Sequence, residues 1–180
     1  MKKQKAIEAS TIQKLFRELD GKIRGDWVLL GGSLLPVLGA HYRVTYDIDL
    51  ACVGEATQSD SLALFTAAEK VGLPIEAVNT AAAYFLHRIA GFQKSLLPLF
   101  EGKELRILRP DLSLYWRLKL ARLSESDVQD CLAYLKSTQD TGGSIDLPDL
   151  QKILSKALAE SGSDRTRKAS LQRLGAALYP

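Results

Sequence analysis

Asp47 and Asp49 stand one residue apart in the run RVTYDIDL. On a strand, side chains alternate between faces, so the two carboxylates are expected on one face and Tyr46, Ile48 and Leu50 on the other. Two like charges so close repel, and a divalent cation between them removes that cost. A hard, oxygen-only ligand set suits Mg²⁺. Upstream, the apolar run Trp27–Leu30 ends in Gly31-Gly32-Ser33. Glycines there permit a close backbone approach, Ser33 is placed to cap a following helix, and amides at a helix start attract phosphate. A phosphate cradle beside paired carboxylates is what metal-dependent phosphoryl chemistry requires.

These groups need elements to hold them. Trp27–Leu30 reads as a central strand, a short helix ends at Gly39, and Tyr42–Val53 reads as a second strand. Apolar spacing predicts a helix from about Ala6 to Leu19 and another over Ser59–Val71, with a further helical stretch from about Ile75. Glu104–Arg109 reads as a third strand. Beyond Pro110 the pattern is helical throughout: Asp111 caps a helix to Arg122, Ser124 or Ser126 starts one to about Ser137, and Asp146 and Asp164 open two more. The expected division is an α/β core over 1–109 and a helical region over 110–180 packed on it.

On the helix after Pro110, Leu112, Tyr115, Trp116, Lys119 and Leu123 fall in one narrow stripe. A lysine on an apolar face needs an anion, and a nucleotide phosphate or an aspartate would serve. The alternative is a stem lying on the core with its ammonium reaching water. Arg43 shares the expected face of Asp47 and Asp49, where it can contact a triphosphate or pair with Asp47.

An apolar residue before Gly-Gly-Ser, thirteen residues and then Asp-Ile-Asp-Leu resemble the signature of the DNA polymerase beta-like nucleotidyltransferase superfamily. RVTYDIDL looks more narrowly like the bacterial minimal nucleotidyltransferases related to abortive-infection and toxin–antitoxin toxins. LKLARLSESDVQD is similar to their downstream motif, with Lys119, Arg122, Asp127 and Asp130 at the equivalent positions. The resemblance covers about residues 27–131. It implies an α+β fold, a small mixed sheet with helices packed on it followed by an α-helical C-terminal part. It also implies transfer of a nucleoside monophosphate from NTP to a hydroxyl on tRNA or a protein, with an antitoxin protein as a further partner. Mg²⁺ would sit on Asp47 and Asp49, and Gly31, Gly32, Ser33, Arg43 and Lys119 would bind the nucleotide, with Lys119 and Asp127 in catalytic roles. Asp127 reads equally as a helix cap, since Ser124-x-x-Asp127 approximates a capping box. The superfamily's third carboxylate, from a later strand, has no clean equivalent here; Glu104 is the candidate metal ligand, Glu101 precedes Gly102 in an expected turn, and Asp127 is a substitute.

Composition narrows the rest. The chain has 180 residues, 46% of them apolar, and a net charge of +3, enough for a sizeable core. Residues 161–180 hold four basic side chains against one acid, either an RNA contact or a solvated helix face. Cys52 and Cys131 are far apart and lack metal-ligand spacing, so they read as core residues of a reducing compartment. His41 and His87 have no ligand partner at suitable spacing. No uncharged run is long enough to span a membrane, and a cytoplasmic location is expected. Two other functions fit the same residues: a non-catalytic nucleotide- or RNA-binding module, and an interaction protein acting through its helical half.

Overall fold

The computed structural model describes residues 6–40 and 42–179. Its chain divides into two compact units, one ending at Pro110 and the other beginning at Asp111.

The first unit is a mixed sheet with helices. It opens with α1 (Ala9–Leu19), whose Ile12, Leu15, Phe16 and Leu19 are buried at helical spacing. β1 (Gly25–Leu30) follows, with Trp27 to Leu30 all buried. A single 3-10 turn, Gly31–Ser33, leads into the four-residue α2 (Leu34–Val37). β2 (Ile48–Cys52), α3 (Gln58–Lys70), the two-residue β3 (Val78–Asn79), α4 (Ala82–His87), β4 (Leu96–Glu101) and β5 (Leu105–Pro110) complete it. The strand order is β3-β2-β1-β5-β4. β1 is antiparallel to β2 and parallel to β5, β2 is parallel to β3, and β4 is antiparallel to β5. The buried run Trp27–Leu30 is therefore the central strand, flanked on both sides, and its continuous hydrophobicity follows from that place.

Three local expectations are corrected. The second strand begins at Ile48, not Tyr42. In residues 42–47 Thr45 is the anchor: its carbonyl accepts the Ile7 N–H at 3.0 Å and its buried hydroxyl donates to the Asp47 carbonyl at 3.2 Å. That bonding takes the segment out of the ladder. The stretch from Ile75 is not one helix but a 3-10 turn (Ile75–Ala77), β3 and then α4. β4 was not foreseen because Pro98 interrupts it. It lies at the sheet edge, where a missing N–H is tolerated, and its pairing with β5 shifts register between Pro98 and Phe100.

The second unit consists of α5 (Leu112–Leu120), α6 (Glu125–Asp140), α7 (Leu147–Glu160) and α8 (Arg165–Ala177). Asp111, Ser124, Asp146 and Asp164 each cap the next helix by accepting a backbone N–H. Such caps satisfy amides that have no partner within the helix. α5 packs on α6 and α7, and α8 packs on α6 and α7. Arg117 on α5 donates to both carboxylate oxygens of Asp149 on α7 at 2.8 and 2.9 Å. Trp116 Nε1 donates to the Cys131 carbonyl at 3.3 Å, and Tyr115 meets Tyr134 edge-on at 4.9 Å. Among the described residues no helix is long and apolar enough to cross a membrane.

Candidate functional site

The antiparallel register sets Leu30, the last residue of β1, opposite Asp49 on β2. The Gly31–Ser33 turn therefore starts beside the Asp49 carboxylate. Gly31 has a φ of +63°, and a Cβ built there would collide with Asp49 Oδ2. Its backbone angle and its neighbour each demand glycine. Gly32 is filled in the same way by another group, because a Cβ there would strike the Arg43 guanidinium. The two glycines thus bring a carboxylate and a guanidinium against the turn. Arg43 is oriented by Tyr42, whose hydroxyl accepts from Nε at 2.9 Å. Ile48 is buried between the exposed Asp47 and the half-buried Asp49.

Ser33 is fully buried, and its hydroxyl donates to the Leu30 carbonyl at 2.9 Å. It does not cap α2. The side chain locks the turn onto the end of β1, and the surface of the turn belongs to Gly31 and Gly32.

One residue of this cluster was missed in the sequence. Asn79 is paired with Asp49 in the β2–β3 register, and its Nδ2 donates to Asp49 Oδ1 at 3.3 Å. Its Oδ1 accepts the Ala81 N–H at 2.8 Å. An Asn three residues before an alanine-rich helix is a turn signal, but reading the segment from Ile75 as one helix conceals it.

Glu104 lies elsewhere, contrary to its expected place as a metal ligand. Its carbonyl accepts from Gly25 N–H at 2.9 Å, which sets it at the start of β1. At about 3.3 Å per residue, that is about 16 Å along the strand from Leu30. Its carboxylate accepts from Arg24 at 2.9 Å. Glu101 is at the same far end, opposite Arg106. Among the described residues no group of three or more His, Cys, Asp or Glu side chains is arranged to hold a metal ion. The acid that the structure sets against the turn is Asp49, while Asp47 is exposed and precedes β2. His41 falls outside the described residues. His87 Nε2 donates to the Cys52 carbonyl at 2.9 Å, which fixes its tautomer and gives it a structural partner.

Lys119, Asp127 and Asp130 meet within the helical unit. The lysine side chain is 11% exposed and donates to Asp127 Oδ1 at 3.1 Å and to Asp130 Oδ2 at 2.6 Å, while those carboxylates are 1% and 0% exposed. The anion that Lys119 finds is thus an aspartate pair. Arg122 adds two further bonds to Asp127, both 2.8 Å. The Asp127 carboxylate also accepts from the Ser124 N–H and hydroxyl, completing a capping box on α6. Burial pushes the Asp127 carboxyl up, but hydrogen bonds from Arg122 and Ser124 and the charge on Lys119 outweigh it and hold it well below the usual carboxylate range. Burial raises the thiols of Cys52 and Cys131, so neither is primed as a nucleophile.

Residues 9–173 match the family described as nucleotidyltransferase of unknown function (DUF6036). The chain belongs to that family. The match spans the glycine turn, the aspartates and the Lys119–Asp130 motif, and the mixed sheet with its helical C-terminal part accords with a small α+β nucleotidyltransferase fold. No curated protein and no solved structure matches this nucleotidyltransferase-family chain.

Proposed function

We propose that the protein transfers a nucleoside monophosphate from NTP to an acceptor hydroxyl on tRNA or a protein. The observation that carries this reading is the Asp49 carboxylate occupying the space that a side chain at Gly31 would fill. An acid is thereby held against a tight turn of peptide backbone, with the Arg43 guanidinium beside it at Gly32. A triphosphate can lie on the Gly31-Gly32 backbone with Arg43 donating to its oxygens. Two carboxylates fit Mg²⁺, which is commonly held by one or two acids together with substrate phosphates. Mg²⁺ bound at Asp47 and Asp49 would supply charge neutralisation at the entering and leaving oxygens. Asn79 bonds the Asp49 carboxylate before a ligand arrives, and Thr45 holds the Asp47 backbone.

The catalytic roles of Lys119 and Asp127, and the NTP contact of Lys119, rest on the motif resemblance. So do an antitoxin partner and a cytoplasmic setting. A second reading, a non-catalytic nucleotide- or RNA-binding module, is favoured by the described residues holding no group of three or more His, Cys, Asp or Glu side chains arranged for a metal ion.

The test is incubation with Mg²⁺, each labelled NTP in turn, and total cellular RNA or protein. Asp47→Ala/Asp49→Ala serves as control. Label transfer by the native protein that the double variant lacks supports the enzyme. Transfer that persists in the variant overturns it, and nucleotide binding with no transfer to any acceptor supports the binding module.

A further inference from the structure

We propose that Asn79 is a positioning residue that fixes the Asp49 carboxylate for divalent-cation binding, a proposal that rests on the nucleotidyltransferase reading of this site. Three observations carry it. First, the register of the short β3 sets Asn79 beside Asp49. Second, the orientation of the Asn79 amide is determined. Its oxygen accepts the Ala81 N–H at 2.8 Å, so its nitrogen faces Asp49 Oδ1 at 3.3 Å. The flipped amide would set N–H against N–H at one end and oxygen against oxygen at the other. Third, the segment that carries Asn79 is tied down beyond it, because α4 ends with His87 donating to the Cys52 carbonyl on β2. Asn79 and His87 therefore clasp β2 at Asp49 and at Cys52.

The two oxygens of Asp49 are consequently defined by different neighbours. Oδ1 takes the Asn79 hydrogen bond, and Oδ2 lies against Gly31. A carboxylate free to rotate would have to be ordered on each binding event, whereas this one is held in advance. A neutral amide at position 79 also leaves the local acid count at two. The Asn79 N–H bond therefore orients the Asp49 carboxylate without adding charge.

The experiment uses the full chain and separates this role from the wider reading. In the metal-free protein, the Asn79 side-chain amide signals are followed by ¹H–¹⁵N NMR. Asp49→Ala is expected to shift them and Asp47→Ala to leave them in place; signals that ignore Asp49→Ala overturn the proposal. Mn²⁺ binding is then titrated with thermal unfolding as a control of folding. Asn79→Ala is expected to bind Mn²⁺ about threefold to tenfold more weakly, the scale of one hydrogen bond to a partly exposed charged group. Asn79→Asp keeps the acceptor for the Ala81 N–H and adds a ligand oxygen, so it is expected to bind Mn²⁺ more tightly. In an Asp49→Ala background, Asn79→Ala should change nothing further. Affinities within twofold of the native protein for both position-79 variants, or an undiminished Asn79→Ala effect in the Asp49→Ala background, overturn the proposal. If the native protein binds no Mn²⁺ and no NTP, the functional reading fails, and the metal-free amide signals alone decide whether Asn79 positions Asp49.

Discussion

Replacing Gly31 by alanine separates two demands that the glycine meets. The first is conformational, since Gly31 has a φ of +63°. A left-handed backbone angle costs a residue with a Cβ about 1–2 kcal/mol. For a chain of this size that lowers Tm by about 2–8 °C, at about 2–4 °C per kcal/mol. The second demand is steric, because the new methyl group would meet the Asp49 carboxylate. Gly39 provides the reference: its φ is +78°, and nothing lies within 4 Å of a Cβ built there. Gly39→Ala should therefore show the conformational loss alone. Gly31→Ala should show at least that loss, and in addition a binding defect, as Asp49 is pushed off its position and its bond to Asn79. Disturbing the partners that orient a metal ligand typically costs about 10- to 100-fold in affinity. Thermal unfolding by circular dichroism and calorimetric titration with Mn²⁺ and each NTP measure both effects. If Gly31→Ala binds Mn²⁺·NTP within twofold of Gly39→Ala, Asp49 does not act at the glycine turn and the site is misassigned.

Three further outcomes are expected. Gly32→Ala should leave Tm almost unchanged, because its Cβ meets the flexible end of Arg43, yet weaken NTP binding by the loss of a guanidinium contact; calorimetry compares the two. Lys119→Met should destabilise the fold by about 3–5 kcal/mol, the usual cost of removing one partner from a buried charge cluster, read by chemical denaturation. An unchanged midpoint would show that the lysine is held for a ligand rather than for the helical unit. The Asp127 carboxyl is held below its ordinary value in the folded chain, so its stabilising contribution is fully present above about pH 4 and is lost as pH falls through the folded value. Asp127→Asn should therefore be less stable than the native protein at neutral pH, and the gap should narrow below pH 4 in unfolding curves taken across pH.

The central strand, the glycine turn and every helix of the second unit were legible because each carries a local signal. Trp27–Leu30 is a continuous apolar run, Gly31 and Gly32 punctuate it, and Asp111, Ser124, Asp146 and Asp164 are capping residues at helix starts. Lys119 was legible as a charge on an apolar stripe that needed an anion. That its partners are Asp127 and Asp130 depends on how α5 packs on α6. Pairing between distant strands was not legible. Glu104 reads as a strand acid in any register, and only the alignment of β5 with β1 sends it to the end away from Asp49. Asn79 was hidden for the same reason, since a two-residue strand has no period to detect and gains its meaning from its neighbour.

The parallel pairing of β1 with β5 has a consequence for how the chain is made. Asp26 and Arg106, neighbours across that pair, are 80 residues apart in sequence. At about 5–20 residues per second, a ribosome delivers the second about 4–16 seconds after the first. During that interval the central strand of the sheet has β2 along one side and nothing along the other. Local contacts form in microseconds, far sooner than its partner arrives. A nascent chain of this design exposes an open, hydrophobic strand edge for seconds, so its yield in the cell should depend on chaperones that bind extended apolar segments, and on the speed at which codons 31–104 are read.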